Sequence, residues 1–210
     1  MKKSILALAV ALVAGAPMVA SADSLDQYLK DRLTVGASYD MYKNKAHASD
    51  LDFGIGSVHA EYKIIDSVGY KFEYSTGLKN DSMAGVTYDL DRTYTNSVTL
   101  DHPIAAQTNL IGEVGYSTAR ATAKTGETTV KKTEHGWFYM AGLKYDFQNG
   151  FDVQAQVGDL KDQTKAEFYE LGASYNFSNS PFSASVAYTA PFSTSDRDYS
   201  NVRATLNYSF

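Results

Sequence analysis

The chain has no cysteine, one tryptophan, four prolines and no excess of positive charge. Without cysteine there is no disulfide framework, no thiolate nucleophile and no cysteine-based metal site. Nineteen basic residues face 24 acidic ones, a formal net charge of −5, and a nucleic-acid-binding domain would carry the opposite balance. Beyond the N-terminal stretch no run is apolar for long enough to cross a bilayer as a helix, which takes about 20 residues. Period-3.6 patterning is scarce as well, which sets helical bundles and coiled coils aside. What the chain does hold is aromatic: 16 Tyr and 10 Phe, in segments rich in Gly, Thr and Ser.

Lys2 and Lys3 precede an apolar run from Ile5 to about Ala16, and Ala20-Ser21-Ala22 follows. A positive start, a short apolar core and an A-x-A site predict a signal peptide, residues 1–22, cleaved after Ala22. Its loss lowers the basic count from 19 to 17 and the net charge to −7. Residues 23–31 form a short lead-in and the one helical candidate, with Ser24 as cap and Leu25, Tyr28 and Leu29 on one face. A single domain, 32–210, follows.

That domain alternates. In Val202–Phe210, Val202, Ala204, Leu206, Tyr208 and Phe210 share one parity, and Arg203, Thr205, Asn207 and Ser209 the other. A strand's side chains alternate faces, so this stretch is apolar on one side and polar on the other. Nine further segments behave alike: Leu33–Tyr42, Phe53–Ile64, Val68–Ser75, Val86–Leu100, Leu110–Tyr116, Trp137–Phe147, Phe151–Val157, Tyr169–Phe177 and Phe182–Tyr188. In the second, the apolar parity switches from Phe53 and Ile55 to Val58 and Ala60. Gly54 and Gly56 sit at the switch, where a β-bulge is expected. The fourth is least regular, since Arg92 and Asn96 share the face of Tyr88, Leu90, Tyr94 and Val98. Arg92 can snorkel, whereas nothing in the sequence accounts for Asn96. Ten strands is the count, and eight or twelve follow if that segment is misread.

Short and long connections alternate. Ile65-Asp66-Ser67, His102–Ala106, Gln148-Asn149-Gly150 and Ser178–Pro181 are turn-like. Lys43–Asp52, Gly77–Met83, Ala119–His135, Lys161–Lys165 and Pro191–Asp198 are polar and mostly longer. Parity sets the hairpin registers: Ile64 opposite Val68, Tyr62 by Tyr70, Glu61 by Lys71 and His59 by Glu73. Short turns on one side and longer loops on the other, with an even strand number, describe an all-β, transmembrane, antiparallel up-and-down β-barrel. A lipocalin-like barrel would be apolar inside and polar outside, and parity alone does not say which face is which.

On the membrane reading the opposite parity faces a lumen. It carries His59, Glu61, Lys63, Lys71, Glu73, Glu113, Lys144, Asp146, Glu170 and Arg203, with Asp40 among the others, and these are expected to form an ion-pair network. With about ten strands and both charge signs inside, the bore is expected to be closed or a thin wet path. His47, His59, His102 and His135 follow no metal-ligand spacing, and no catalytic residue, metal or cofactor is expected. His59 with Glu61 and Glu73 is the one group that suggests catalysis. In the longest loop Arg120, Lys124, Lys131 and Lys132 outnumber Glu127 and Glu134, and such a loop can contact polyanions.

The signal peptide, alternating segments, turn asymmetry and Tyr208-Ser209-Phe210 ending resemble the small Gram-negative outer-membrane β-barrels, the OmpA membrane domain and OmpX-like proteins. The resemblance implies residence in the outer membrane, among its lipids and lipopolysaccharide. It also implies recognition of Leu206, Tyr208 and Phe210 by the barrel-assembly machinery. Implied functions are a non-enzymatic structural or narrow-pore role, or else an adhesin, host-factor or lipopolysaccharide contact through the outer loops. No nucleic-acid partner is expected, and oligomeric state stays open.

Overall fold

The computed structural model describes residues 30–46, 49–83, 85–161, 166–192 and 199–210. The expected signal peptide and most of the lead-in lie outside them, as do parts of the loops Lys43–Asp52, Lys161–Lys165 and Pro191–Asp198. The strands are β1 (Leu33–Ala46), β2 (Ser49–Ile65), β3 (Val68–Lys79), β4 (Asp81–Met83), β5 (Val86–Ala105) and β6 (Thr108–Thr125). They continue with β7 (Thr128–Asp146), β8 (Phe151–Lys161), β9 (Ala166–Asn176), β10 (Phe182–Pro191) and β11 (Tyr199–Ser209). Each pairs antiparallel with its neighbours, β1 joins β11, and β3 joins β5. Ten strands therefore close into a barrel, and the three-residue β4 pairs with the part of β5 that extends past β3.

The sheet is inside out relative to a water-soluble domain. Among the described residues only Ile111, Ala190 and Tyr208 are buried apolar residues, while Met41, Val98, Val114, Trp137, Leu143, Val157, Leu171, Val186 and Leu206 lie exposed on the outer face. Asp40, Ser57, Glu73, Ser75, Ser97 and Asn201 are buried on the inner one. A soluble barrel buries its apolar parity, so the lipocalin arrangement is excluded. Aromatic clusters mark both ends of the apolar wall: Tyr116 against Trp137 at one, Tyr145 with Phe147 and Phe151 at the other. Along β7, Trp137 to Phe147 at about 3.3 Å per residue and a tilt near 45° spans about 23 Å of height, close to the apolar band of such barrels.

The strands outrun their sequence signal. Residues 119–135, expected as a loop, continue β6 and β7 as a regular hairpin from Ala119↔Glu134 to Thr125↔Thr128. It closes on Gly126-Glu127, with Gly126 at φ +54°, the positive value that a two-residue turn of this kind requires at its first position. Outside the apolar layer both faces meet water. The period-two contrast disappears there, although pairing persists.

Two register details differ from expectation. The β1–β2 ladder runs without interruption through Met41↔Gly54 and Asp40↔Ile55, so Phe53 and Ile55 share the inner face with Tyr42 and Asp40. The shift near Gly54 lies in the β2–β3 ladder, where Leu78 of β3 is the extra residue between Gly77 and Lys79. Gly54 and Gly56 thus stand on the outer face, and Gly56 leaves the space that Leu78 fills. At the next turn Ile65, not Ile64, faces Val68, while Tyr62↔Tyr70, Glu61↔Lys71 and His59↔Glu73 stand as parity dictates. Asn96 gains an account: its Oδ1 accepts the Tyr70 hydroxyl at 2.6 Å across the outer face.

Candidate functional site: the barrel lumen

Because cross-strand partners share a face, the ladders decide which charges meet. Asp40 lies directly opposite Arg203, and Arg203 Nε donates to Asp40 Oδ1 at 2.7 Å. Asn201 Nδ2 donates to the same oxygen at 2.8 Å. The guanidinium then reaches Glu73 with Nη1 and Nη2, at 3.3 and 3.4 Å from the two carboxylate oxygens. Glu73 stands on β3, separated from β11 by β1 and β2, so this contact crosses a corner of the lumen. The planar fork suits a carboxylate geometry that lysine would not match. Ser75 Oγ also donates to Glu73, at 3.3 Å, and Ser57 Oγ donates to Ser75 Oγ at 3.0 Å.

A second crossing spans β5. Lys71 Nζ on β3 bonds Glu113 Oε2 on β6 at 2.7 Å, and Ser97 Oγ from the intervening strand donates to Glu113 Oε1 at 2.6 Å. Glu61 accepts Thr99 Oγ1 at 2.5 Å. Asp40 is 1% exposed and Glu73 8%, so these carboxylates have little access to water. Burial of charge is tolerable only with such pairing and hydrogen bonding.

Beside Glu113 and Ser97, on β7 and β9, the inward side chains are of another kind. Phe138, Met140 and Phe168 face inward. A Cβ on Gly158 would lie 2.6 Å from the Phe168 ring, and one on Gly115 2.5 Å from that of Phe138, so each ring occupies space left by a glycine. On the β8–β10 wall Gln154, Gln156 and Thr189 all donate to Glu170, at 3.3, 3.3 and 3.1 Å. These side chains stay half-buried and belong to no charge pair among the described residues.

The expected network therefore divides. Arg203, Glu73, Lys71, Glu113 and Glu61 come together, and Asp40 joins them through Arg203. His59 sits opposite Glu73 on the ladder, its ring in the space left by Gly36. Lys144 bonds Asp101, a residue the sequence placed near a turn, as does Asn109. Lys63 is exposed near the β2–β3 turn and makes no ion pair among the described residues, because the register shift beside it carries it to the barrel rim. Asp146 is exposed too, its Oδ1 accepting the Gln148 N–H at 2.7 Å to cap a turn. Asn201, Ser57, Ser75, Ser97 and Thr99 complete the cluster. As small polar residues they gave no signal beyond inward parity. No group of three His, Cys, Asp or Glu able to hold a metal occurs among the described residues.

At the C-terminal strand Tyr208 packs against Val35, Ala37, Phe182 and Phe210. Its ring meets those of Phe182 and Phe210 edge-on at 5.2 and 5.1 Å. Phe210 N donates to Leu33 O at 3.0 Å, so this strand's last residues close the barrel onto β1. Leu206 is exposed on the outer wall. The loop cations separate as well. Arg120, Lys124 and Lys131 lie on the hairpin face continuous with the apolar wall, whereas Lys132 lies on the other, paired with Glu134 at 2.6 Å.

A closed antiparallel barrel with an apolar exterior and an ion-paired interior is an integral membrane β-barrel. The chain belongs to the outer membrane protein beta-barrel domain family, whose model matches residues 6–210. No curated protein matches it. Among solved structures, the translocator domain of the autotransporter NalP from Neisseria meningitidis is similar at 14% identity and TM-score 0.53, over 95% of this chain and 100% of that one. Neisserial surface protein A is similar at 14% identity and TM-score 0.46, over 85% and 97%. The outer membrane protease OmpT from Escherichia coli is similar at 11% identity and TM-score 0.45, over 86% and 97%. A fold of this kind does not by itself choose a role.

Proposed function

We propose that this is a non-enzymatic barrel of the Gram-negative outer membrane, exported by residues 1–22, with a structural role and a lumen closed to solutes. The observation that carries this reading is the Asp40–Arg203–Glu73 contact across a corner of the lumen, joined by Lys71–Glu113. The Glu73 carboxylate is held by Arg203 and Ser75, and Glu61 accepts the Thr99 hydroxyl. Reconstituted protein should give no swelling of liposomes in small sugars; swelling at porin-like rates would refute the closed lumen.

A second reading is contact with an outside partner through the β6–β7 hairpin, supported by its projection as a paired two-stranded arm. Deleting residues 119–135 while the barrel stays heat-modifiable on gels should abolish surface binding of a partner on this reading. Unchanged binding would end it.

A further inference from the structure

Asn96 presents a carboxamide to the surroundings of the outer wall. It stands exposed on β5 between Tyr94 and Val98, with Phe72 directly opposite on β3 and Tyr116 on β6. These neighbours are themselves exposed, and all are apolar or aromatic. An amide carries two donor hydrogens on nitrogen and two lone pairs on oxygen. The Tyr70 hydroxyl occupies one lone pair of Oδ1 at 2.6 Å. Among the described residues Nδ2 donates to nothing, and the second lone pair of Oδ1 is unused.

The ladders fix the depth of this amide. Phe72, Asn96, Tyr116 and Trp137 stand in one row across β3, β5, β6 and β7. At a strand spacing of about 4.8 Å and a tilt near 45°, each step along the row changes height by about 3.4 Å. Asn96 therefore lies about 7 Å below Trp137, whose ring marks the outer edge of the hydrocarbon layer. Followed the other way, the row passes through Ala60 and Val35 to Tyr208. That ring, about 14 Å lower, meets those of Phe182 and Phe210 at the inner edge. Acyl chains offer neither donor nor acceptor at such a depth, and an amide left bare there is costly.

Whatever meets this amide must bring one acceptor and one donor to the same depth. A second copy of the chain does so. Two barrels inserted the same way round are related by a two-fold axis along the membrane normal. That axis keeps each residue at its own depth and sets a residue beside it against itself. Nδ2 of each Asn96 then donates to the unused lone pair of the other. Two extended Asn side chains and one hydrogen bond span about 10 Å between backbones, the distance at which sheets stack face to face. Val98 and Val114, directly opposite each other just below, are small enough to admit a second wall that close.

We infer that the β3–β5–β6 face centred on Asn96 is a homodimer interface within the membrane, joined by a reciprocal pair of Asn96 amide hydrogen bonds. It lies on the outside of the wall and is independent of whether the lumen conducts. The monomer–dimer equilibrium is read by sedimentation of the folded barrel in density-matched detergent micelles. The wild type should dimerise, and Asn96→Val should raise the dissociation constant about tenfold, the effect of two hydrogen bonds in hydrocarbon. Val114→Trp, beside the amide, should block the second wall and leave a monomer. Val186→Trp, exposed on β10 at the far side of the barrel, should leave the equilibrium unchanged. An apolar side chain would preserve a contact held by packing alone, so dimerisation of Asn96→Val as tight as the wild type's overturns the inference. If that variant does not fold, the two Trp variants decide, and a Val186→Trp effect as large as that of Val114→Trp overturns it. A wild-type barrel that stays monomeric at every protein-to-detergent ratio overturns it as well, and leaves the amide to a lipid headgroup.

Discussion

Arg203→Ala withdraws the cation that Asp40 and Glu73 share. Asp40 receives its bonds on Oδ1 alone, from Arg203 and Asn201, and its Oδ2 has no protein partner. With the guanidinium gone, two carboxylates with little access to water are left to Asn201 and Ser75. Removing one partner of a buried pair costs about 3–5 kcal/mol, and the Arg203 side chain is 36% exposed, which moves the expectation to about 2–3 kcal/mol. Adding Glu73→Gln to Arg203→Ala neutralises one stranded charge and should recover about 1 kcal/mol, a coupling that distant sites do not show. The assay is equilibrium urea unfolding of the vesicle-inserted barrel, followed by Trp137 emission. A loss below about 0.5 kcal/mol for Arg203→Ala, or additive effects in the pair, would mean that the crossing does not hold the lumen together.

On the outer wall, Tyr70→Phe removes the donor to Asn96 and strands an amide oxygen at the apolar surface, at a cost of about 1–3 kcal/mol in the same assay. Adding Asn96→Val should restore most of it, and a double variant as unstable as the single would contradict this. Above the membrane, Asp81 accepts the N–H groups of Asp52 at 2.6 Å and Ser82 at 2.7 Å, which hold its carboxyl below the usual aspartate range. The bond from β2 to β4 should therefore persist as pH falls past that range and be lost only at the lower folded value. Amide resonances of Asp52 and Ser82 moving together at the ordinary aspartate pH would refute it.

The apolar layer was legible because hydrocarbon outside and charge inside impose opposite demands on successive residues. That contrast revealed ten strands and the facing of Tyr62 with Tyr70 and His59 with Glu73. It disappears where both faces are wet, so the hairpin at 119–135 reads as a loop although Thr, Val and Ala there pair without a break. Phe53 and Ile55 misled for a related reason. Near the mouth an apolar side chain can face the lumen, as Phe53 does opposite Tyr42, and parity then mimics a bulge. Which inward charges meet was less legible. Arg203 and Glu73 are distant in sequence and not adjacent in the sheet, and only closure of the barrel brings them together. Lys63 and Asp146 share the inward parity but lie at the rims, and alternation says nothing about depth. Phe138 and Phe168 escaped notice because their complement is an absent side chain, Gly115 and Gly158, on a neighbouring strand.

Single-channel recording in planar bilayers tests the closed lumen most directly, comparing the wild-type barrel with Arg203→Ala/Lys71→Ala. The wild type should insert without steady ohmic steps. The double variant should open discrete ones that favour cations, because Asp40, Glu73 and Glu113 then line the path unpaired. A wild-type barrel that conducts as freely as the variant would contradict the account, because charges paired across the lumen would then not be what closes it.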